Sequence, residues 1–297
     1  MPFPATASAL SAVPLQPRSS RGWLQRLTGL FAGCILLVLL GSCSTNPVTG
    51  RSQFMLVPES AAILASGQAY AALLEPLRQE GVLDSNHRLK QRVQAITGRI
   101  VAQAITYRPE TAQWDWQIAV IDEPDTLNAF AMAGGKMAIY TGIIEQLALS
   151  DDEVAQIIGH EIAHALSAHS AEKMSVALAT NLALVGLSFS DRVSEAALSA
   201  AAVASLVVIE LPNSRSMESE ADRIGIELAA RAGYAPEAAA SLWQKMAAKD
   251  RSSHPVFLST HPAPEARQRD LTALAHAMRP LYEAALRQDT LPTHPVR

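Results

Sequence analysis

The sequence predicts a mostly helical α+β fold with a small sheet, and three observations carry that expectation. Apolar residues recur at helical spacing through most of the stretch from Ser60 to about Gln288, and alanine and leucine dominate the apolar set. Strand-like runs with β-branched and aromatic residues cluster between Trp114 and Tyr140. At 297 residues the chain is long enough for one substantial core or two small ones. Its net charge is only −4 and its 24 basic residues are scattered, so the sequence predicts no nucleic-acid partner.

Residues 1–42 read as a signal peptide. Arg18, Arg21 and Arg26 precede an apolar run from Leu27 to Leu40, followed by Gly41-Ser42-Cys43. The run is shorter than the roughly 20 apolar residues a spanning helix needs. Leu40-Gly41-Ser42-Cys43 resembles a bacterial lipobox, whose cysteine is lipidated and becomes the mature N-terminus. Phe31-Ala32-Gly33-Cys34 is a second candidate but leaves a very short apolar core, so Cys43 is preferred; a plain signal-anchor helix is the other alternative. Ser44 rather than aspartate follows, which by resemblance to enterobacterial lipoproteins implies the inner leaflet of the outer membrane. With both cysteines, Cys34 and Cys43, in this region, no disulfide framework is available to the remainder. Lipidation at Cys43 leaves the mature chain without a free thiol, which suits an oxidising compartment.

Residues 43–59, rich in Pro, Thr, Gly and Asn, read as an extended tether. A domain over 60–288 follows, and 289–297 read as a loose tail. Two helices are expected between Ser60 and Ile105, interrupted near Gly81 to Asn86, then a strand over Trp114 to Ile121. Asn128–Met132 and Lys136–Tyr140 read as a hairpin turned at Gly134-Gly135, where positive φ costs little. Ser150-Asp151-Asp152-Glu153 matches a capping box, so a helix begins near Asp151 and is expected to run to about Lys173. Val176–Phe189 and Ala196–Leu211 are apolar, split by Ser190-Asp191-Arg192, and each is shorter than a membrane span, so core or lid helices are expected. Further helices are expected over 216–232, 236–249 and 264–288.

The chemistry lies in His160-Glu161-Ile162-Ala163-His164. On a helix, His160 and His164 share a face and bind one zinc ion through imidazole nitrogen, and Glu161 reaches a metal-bound water as general base. The motif also arises by chance as paired surface histidines. Here the helix around it is strongly apolar (Val154, Ile157, Ile158, Ile162, Leu166), and polar groups beside such a core need a partner. A catalytic zinc takes three protein ligands and keeps an open position. No third histidine follows closely, so a downstream carboxylate is the better candidate. Glu218 and Asp222 are four apart and share a face, while Glu220 points elsewhere; with Glu218 on the metal, Asp222 orients a ligand histidine. A solvated acidic helix start is the bland alternative. His169, five beyond His164, falls off the ligand face and reads as ordinary.

The pairing of His160–His164 with Glu218–Asp222 resembles the HExxH and ExxAD motifs of the gluzincin peptidases that include HtpX and the CAAX prenyl endopeptidases. The stretch from Cys43 to about Arg269 is similar to the periplasmic lipoprotein branch typified by LoiP and BepA, down to the opening Cys-Ser-Thr-Asn-Pro-Val-Thr-Gly at Cys43–Gly50. No tetratricopeptide domain follows, so scaffold-docking roles are not carried over. The resemblance implies a zincin-type metallopeptidase domain whose small sheet edges the active-site cleft, with one Zn2+ per chain, Glu218 as third ligand and Glu161 as catalytic base. It implies that Asn128, Ala129, Phe130 and Ala131 form a substrate edge strand. Ser259-Thr260-His261-Pro262 resembles a segment whose histidine, here His261, occupies the open zinc position and gates activity. Arg215 is expected to stabilise the oxyanion or brace Glu218. The implied function is an endopeptidase acting on unfolded or misassembled envelope proteins. A non-catalytic chaperone or assembly factor for outer-membrane proteins, using the same groove, is the alternative; the presence of Glu161 favours catalysis. An intramembrane processing enzyme is disfavoured, because the mature chain has no run long enough to span.

Overall fold

A computed structural model of the protein describes residues 43–189, 194–205, 211–253, 257, 261 and 265–297. The chain divides into the units Met1–Ser42 and Cys43–Arg297. The signal-peptide and lipobox expectations for 1–42 and the Ser190-Asp191-Arg192 break lie outside the described residues. The second unit begins with β1 (Cys43–Thr45), β2 (Ser52–Phe54), α1 (Glu59–Gln79), α2 (His87–Tyr107) and a short 3-10 turn (Pro109–Gln113). Then come β3 (Gln117–Ile121), β4 (Ala129–Met132), β5 (Lys136–Tyr140), α3 (Thr141–Gln146), α4 (Asp151–Leu166) and α5 (His169–Ser188). The described helices close with α6 (Glu195–Ser205), α7 (Leu211–Arg231), α8 (Ala238–Ser253) and α9 (Glu265–Leu286). The architecture is the mostly helical α+β arrangement the sequence predicts.

Local chemistry sets the element boundaries. The capping box is formed: Ser150 Oγ accepts from the Glu153 N–H at 3.2 Å and the Glu153 carboxylate accepts from the Ser150 N–H at 3.0 Å. The helix expected to reach Lys173 stops earlier, at Leu166. Ala168 takes a left-handed conformation, φ 53°, and α5 restarts at His169 in a new phase. Neither glycine nor proline marks this break, because a single alanine tolerates the conformation at a cost of about 1–2 kcal/mol, which surrounding contacts offset.

The sheet has the order β3-β5-β4, with β3 parallel and β4 antiparallel to β5. Gly134 and Gly135, at φ +78° and +76°, turn the β4–β5 hairpin as expected. Residues 289–297, expected as a loose tail, are instead laid along the outer edge of β3. The Ile118 N–H donates to the Arg297 carbonyl at 2.8 Å, the Arg297 N–H to Trp116 at 3.1 Å, and the His294 N–H to Gly98 at 2.9 Å. An open strand edge needs a partner, and a short polar segment satisfies it without any hydrophobic pattern to announce the fact. β4 forms the opposite edge and packs on α4.

The expected tether at 43–59 is also a packed element. β1 and β2 pair antiparallel, and Asn46 and Gln53 are each only 2% exposed. Their polar groups find partners where α4 hands over to α5, which a composition-based reading of a Pro/Gly-rich segment does not see. The run from Val176 to Phe189 forms the distal part of α5, and Leu182, Val185 and Phe189 on it are exposed, so it does not join the core. Among the described residues no helix is long and apolar enough to cross a membrane.

The core is organised around α4, buried from Glu153 to Leu166 and packed against α7, α2, α8 and β4. α4 and α7 meet at Gly159 and Gly225. A Cβ on Gly159 would lie 2.6 Å from the Gly225 carbonyl oxygen, and one on Gly225 would lie 2.7 Å from the His160 nitrogen. This backbone-to-backbone approach carries His160 on one helix towards Glu218 and Asp222 on the other. Gly159→Ala gains about 1 kcal/mol of helix propensity. It incurs about 1–3 kcal/mol of overpacking against backbone that cannot swing aside. The expected result is a net loss of stability, with reduced metal content, measurable by urea denaturation and metal analysis.

Candidate metal centre

His160 and His164 lie one turn apart on α4, and Glu218 reaches them from α7. His160 Nε2 is 3.1 Å from His164 Nε2 and 3.3 Å from the Glu218 carboxylate, which is also 3.3 Å from His164 Nε2. His261 joins them: its Nδ1 is 3.1 Å from His160 Nε2 and 3.0 Å from Glu218. All four residues are buried, between 4% and 6% exposed.

The far side of each histidine fixes its tautomer. His160 Nδ1 lies 3.1 Å from Asp222, so it donates there and presents a lone pair at Nε2. His164 Nδ1 lies 2.8 Å from His169 Nδ1, while His169 Nε2 lies 3.0 Å from Glu220. His169 therefore donates to Glu220 and accepts from His164, whose Nε2 is left as a lone pair. Two imidazole lone pairs and a carboxylate thus point at one place, an arrangement that repels itself unless a cation sits there. Tetrahedral zinc at about 2.0–2.1 Å places ligand atoms about 3.3–3.4 Å apart, close to the separations found. The donor set fits zinc.

Electrostatics agree. Burial opposes charge on Glu218, yet the surrounding imidazoles hold its carboxyl far below the usual carboxylate range. Burial pushes the His164 imidazole well down. Burial also works against a charged His160, but the Asp222 and Glu218 carboxylates more than offset it and raise the imidazole to about 9. Burial raises the carboxyl of Glu161. Glu161 Oε2 accepts from the Ala131 N–H at 2.9 Å, while Oε1 is buried without a hydrogen-bond partner, 3.4 Å from His261 Nε2.

The edge-strand residues lie beside this group. Asn128, Ala129, Phe130 and Ala131 line a cleft of about 170 Å³ with Glu161, His164 and His261. The Tyr140 N–H bonds to the Asn128 carbonyl, so antiparallel alternation turns the peptide groups of Ala129 and Ala131 away from β5. Asn128 Oδ1 is buried without a partner. Phe257 stacks on His261, with ring centroids 4.4 Å apart, and its N–H donates to the Leu127 carbonyl at 3.1 Å, beside the start of β4.

Two expectations need correction. Of the two roles expected for Arg215, bracing Glu218 belongs instead to the Arg267 guanidinium, while Arg215 is exposed and lines a pocket with Glu218 and Arg267. Arg267 bonds Asp222 twice at 2.7 Å, lies 3.2 Å from Glu218, and rests 3.9 Å over the Trp243 ring. Its place in the sequence, six residues after His261, was the available signal. His169 is not ordinary either. The left-handed turn at Ala168 resets the helical phase, so its distance from His164 along the chain misrepresents its position in space.

Residues 87–275 match the model of peptidase family M48. The mitochondrial metalloendopeptidase OMA1 of Saccharomyces cerevisiae is 30% identical over 91% of this chain and 78% of its own length. Bovine mitochondrial metalloendopeptidase OMA1 is 33% identical over 73% of this chain and 43% of its own length. The beta-barrel assembly-enhancing protease of Yersinia pestis is 28% identical over 77% of this chain and 46% of its own length. The chain thus spans most of the yeast protein but less than half of the bovine and Yersinia ones. A buried pair of imidazoles and a carboxylate suited to zinc, on helices that fall within the matched residues, place the chain in peptidase family M48, as a zinc-dependent metalloendopeptidase.

Proposed function

We propose that the protein hydrolyses peptide bonds in misfolded or misassembled proteins of the bacterial cell envelope, held by lipid at Cys43 on the periplasmic side of the outer membrane. The observation that carries the peptidase reading of the site is the unpartnered Glu161 Oε1 beside the His160, His164 and Glu218 donors. When bound, zinc supplies Lewis-acid activation of water and of the scissile carbonyl. His160, His164 and Glu218 hold it. Glu161, fixed through Oε2 by Ala131, takes the proton of the attacking water at Oε1 and delivers it to the leaving amine. Its burial-raised carboxyl suits both steps. The peptide groups of Ala129 and the carbonyl of Ala131, the Ala131 N–H being held by Glu161, offer outward bonds to an extended substrate, the strand-addition mode, which selects unfolded chain over folded. A chaperone using the same groove has no need of a base at this position.

His261 is read as a gate. As a fourth donor it completes the set and leaves no position for water, so it must withdraw before turnover. His261→Ala is expected to raise casein cleavage severalfold, with zinc still bound at one per chain. Unchanged or lower activity in a zinc-loaded variant would remove the gating role.

The envelope assignment rests on the signal-like residues 1–42, the lipobox-like cysteine and the name of the Yersinia relative. In cells fed an alkyne-palmitate analogue, the native chain is expected to label and to fractionate with outer membranes, and Cys43→Ser to do neither. Equal labelling of both would point to Cys34 instead, and labelling of neither would sink the lipid anchor.

A further inference from the structure

The β1–β2 hairpin carries a set of polar side chains that all point into the domain. Arg51 Nε donates to Glu220 at 2.9 Å, and its two terminal nitrogens donate to Glu172 at 3.0 and 2.7 Å. One guanidinium therefore ties α5, which carries Glu172, to α7, which carries Glu220. Thr49 Oγ1 donates to the other oxygen of Glu220 at 2.6 Å. Gln53 donates to Glu172 at 2.7 Å and to the Ser167 carbonyl at 2.8 Å, at the C-terminal end of α4. Asn46 closes the hairpin turn, accepting from the Val48 and Thr49 N–H groups at 2.8 and 3.0 Å.

Glu220 is where this set meets the metal centre. Held by Arg51 and Thr49, it accepts from His169 Nε2, and His169 Nδ1 is the acceptor that His164 Nδ1 finds at 2.8 Å. His160 is backed in the same way on its side, by Asp222 and Arg267. Each ligand histidine is thus followed by a carboxylate and an arginine, with His169 interposed in one case. His169 and Glu172 are 1% and 2% exposed, and polar groups buried this deeply need hydrogen-bond partners.

We propose that the β1–β2 hairpin is a working part of the metal centre, in which Arg51 and Thr49 are positioning residues that hold Glu220, and through it His169, so that His164 turns its Nε2 lone pair to the zinc. The inference rests on the reading of His164 as a ligand. Without a fixed acceptor at Nδ1, the His164 ring is free to rotate or to carry its proton on Nε2, and either change removes a donor from the site. The segment that composition marks as a tether therefore sets the affinity of the metal site.

The test is the zinc dissociation constant of the full chain, by chelator competition, for Arg51→Ala, Thr49→Val and His169→Phe, with His164→Ala alongside. Loss of such outer partners typically weakens metal binding about 10–100-fold. His169→Phe and Arg51→Ala are expected in that range, each still binding one zinc at saturation, and Thr49→Val is expected to weaken binding severalfold. In the zinc-loaded protein the imidazole 15N spectrum should show His164 protonated at Nδ1, with that proton signal broadened or lost in the Arg51 variant. A purely structural hairpin would lower the melting temperature yet leave zinc affinity and the His164 signal of the folded protein unchanged, and that result overturns the proposal. Should Arg51→Ala fail to fold, Thr49→Val and His169→Phe decide. If His164→Ala itself binds zinc as tightly as the native chain, the ligand reading fails first, whatever the hairpin variants do.

Discussion

Glu161→Gln is expected to leave a folded protein that binds one zinc and cleaves casein at least about 10²–10⁴-fold more slowly, the range in which positioned acid–base groups act. Glutamine keeps the shape of the side chain and can still accept from the Ala131 N–H, as Glu161 Oε2 does at 2.9 Å. What it cannot do is take a proton. The metal donors are untouched, because Glu161 projects from α4 beside His160 and His164 rather than with them. The expected signature is therefore a fall in kcat with little change in KM or metal content. A variant that cleaves casein at the native rate would move the chemistry away from this carboxylate and leave the chaperone reading standing.

Arg267→Leu is expected to have the largest effect on stability. It removes the guanidinium partner of two buried carboxylates, Asp222 and Glu218, 7% and 4% exposed, and leaves them only imidazole partners among the described residues. Breaking a buried pair from one side costs about 3–5 kcal/mol, because the remaining charge stays desolvated. Lysine is no substitute, since the two bonds to Asp222 need the planar fork. Burial works against the Asp222 carboxylate, but His160 and Arg267 together hold its pKa below the ordinary value. A depressed carboxyl contributes stability that is present above the unfolded value near about 3.9 and is lost as pH falls through the folded one. The variant should lose part of that acid-sensitive contribution. Urea denaturation at pH 7 and through the acid range below about pH 3.9 measures both effects. An unfolding free energy within 1 kcal/mol of native at pH 7 would mean that the carboxylates do not depend on Arg267.

Much of this was legible in the sequence where the signal is local and periodic. The capping box at Ser150, the Gly134-Gly135 turn and the two helices between Ser60 and Ile105 follow from local sequence alone. His160, His164 and Glu218 were accessible because metal chemistry restricts residue type and helix geometry restricts spacing. What spacing missed shares one physical character: it depends on partners distant in the chain. The His169 reading failed because a single left-handed alanine broke the helical phase that the spacing argument assumed. Arg267 outranked Arg215 because desolvated carboxylates take whichever guanidinium the fold delivers, and nearness in sequence does not decide that. The hairpin at 43–59 and the tail at 289–297 were read as loose because their order comes from polar bonds to distant elements and from isolated apolar contacts (Val48, Met55, Val57 and Val296) that form no periodic pattern. Gly159 and Gly225, which let α4 and α7 approach closely enough for the site to form, are visible only once the two helices are seen together.

The most direct measurement is zinc K-edge X-ray absorption on the purified full-length protein, native and Glu218→Ala. The expected native spectrum shows one zinc per chain with a shell of nitrogen and oxygen only, at about 2.0–2.1 Å, and the outer scattering of imidazole rings. Removing Glu218 should cut occupancy or replace its oxygen by solvent. A native spectrum without imidazole scattering, or a shell and occupancy unaltered in Glu218→Ala, would contradict the convergence of His160, His164 and Glu218 on a single ion.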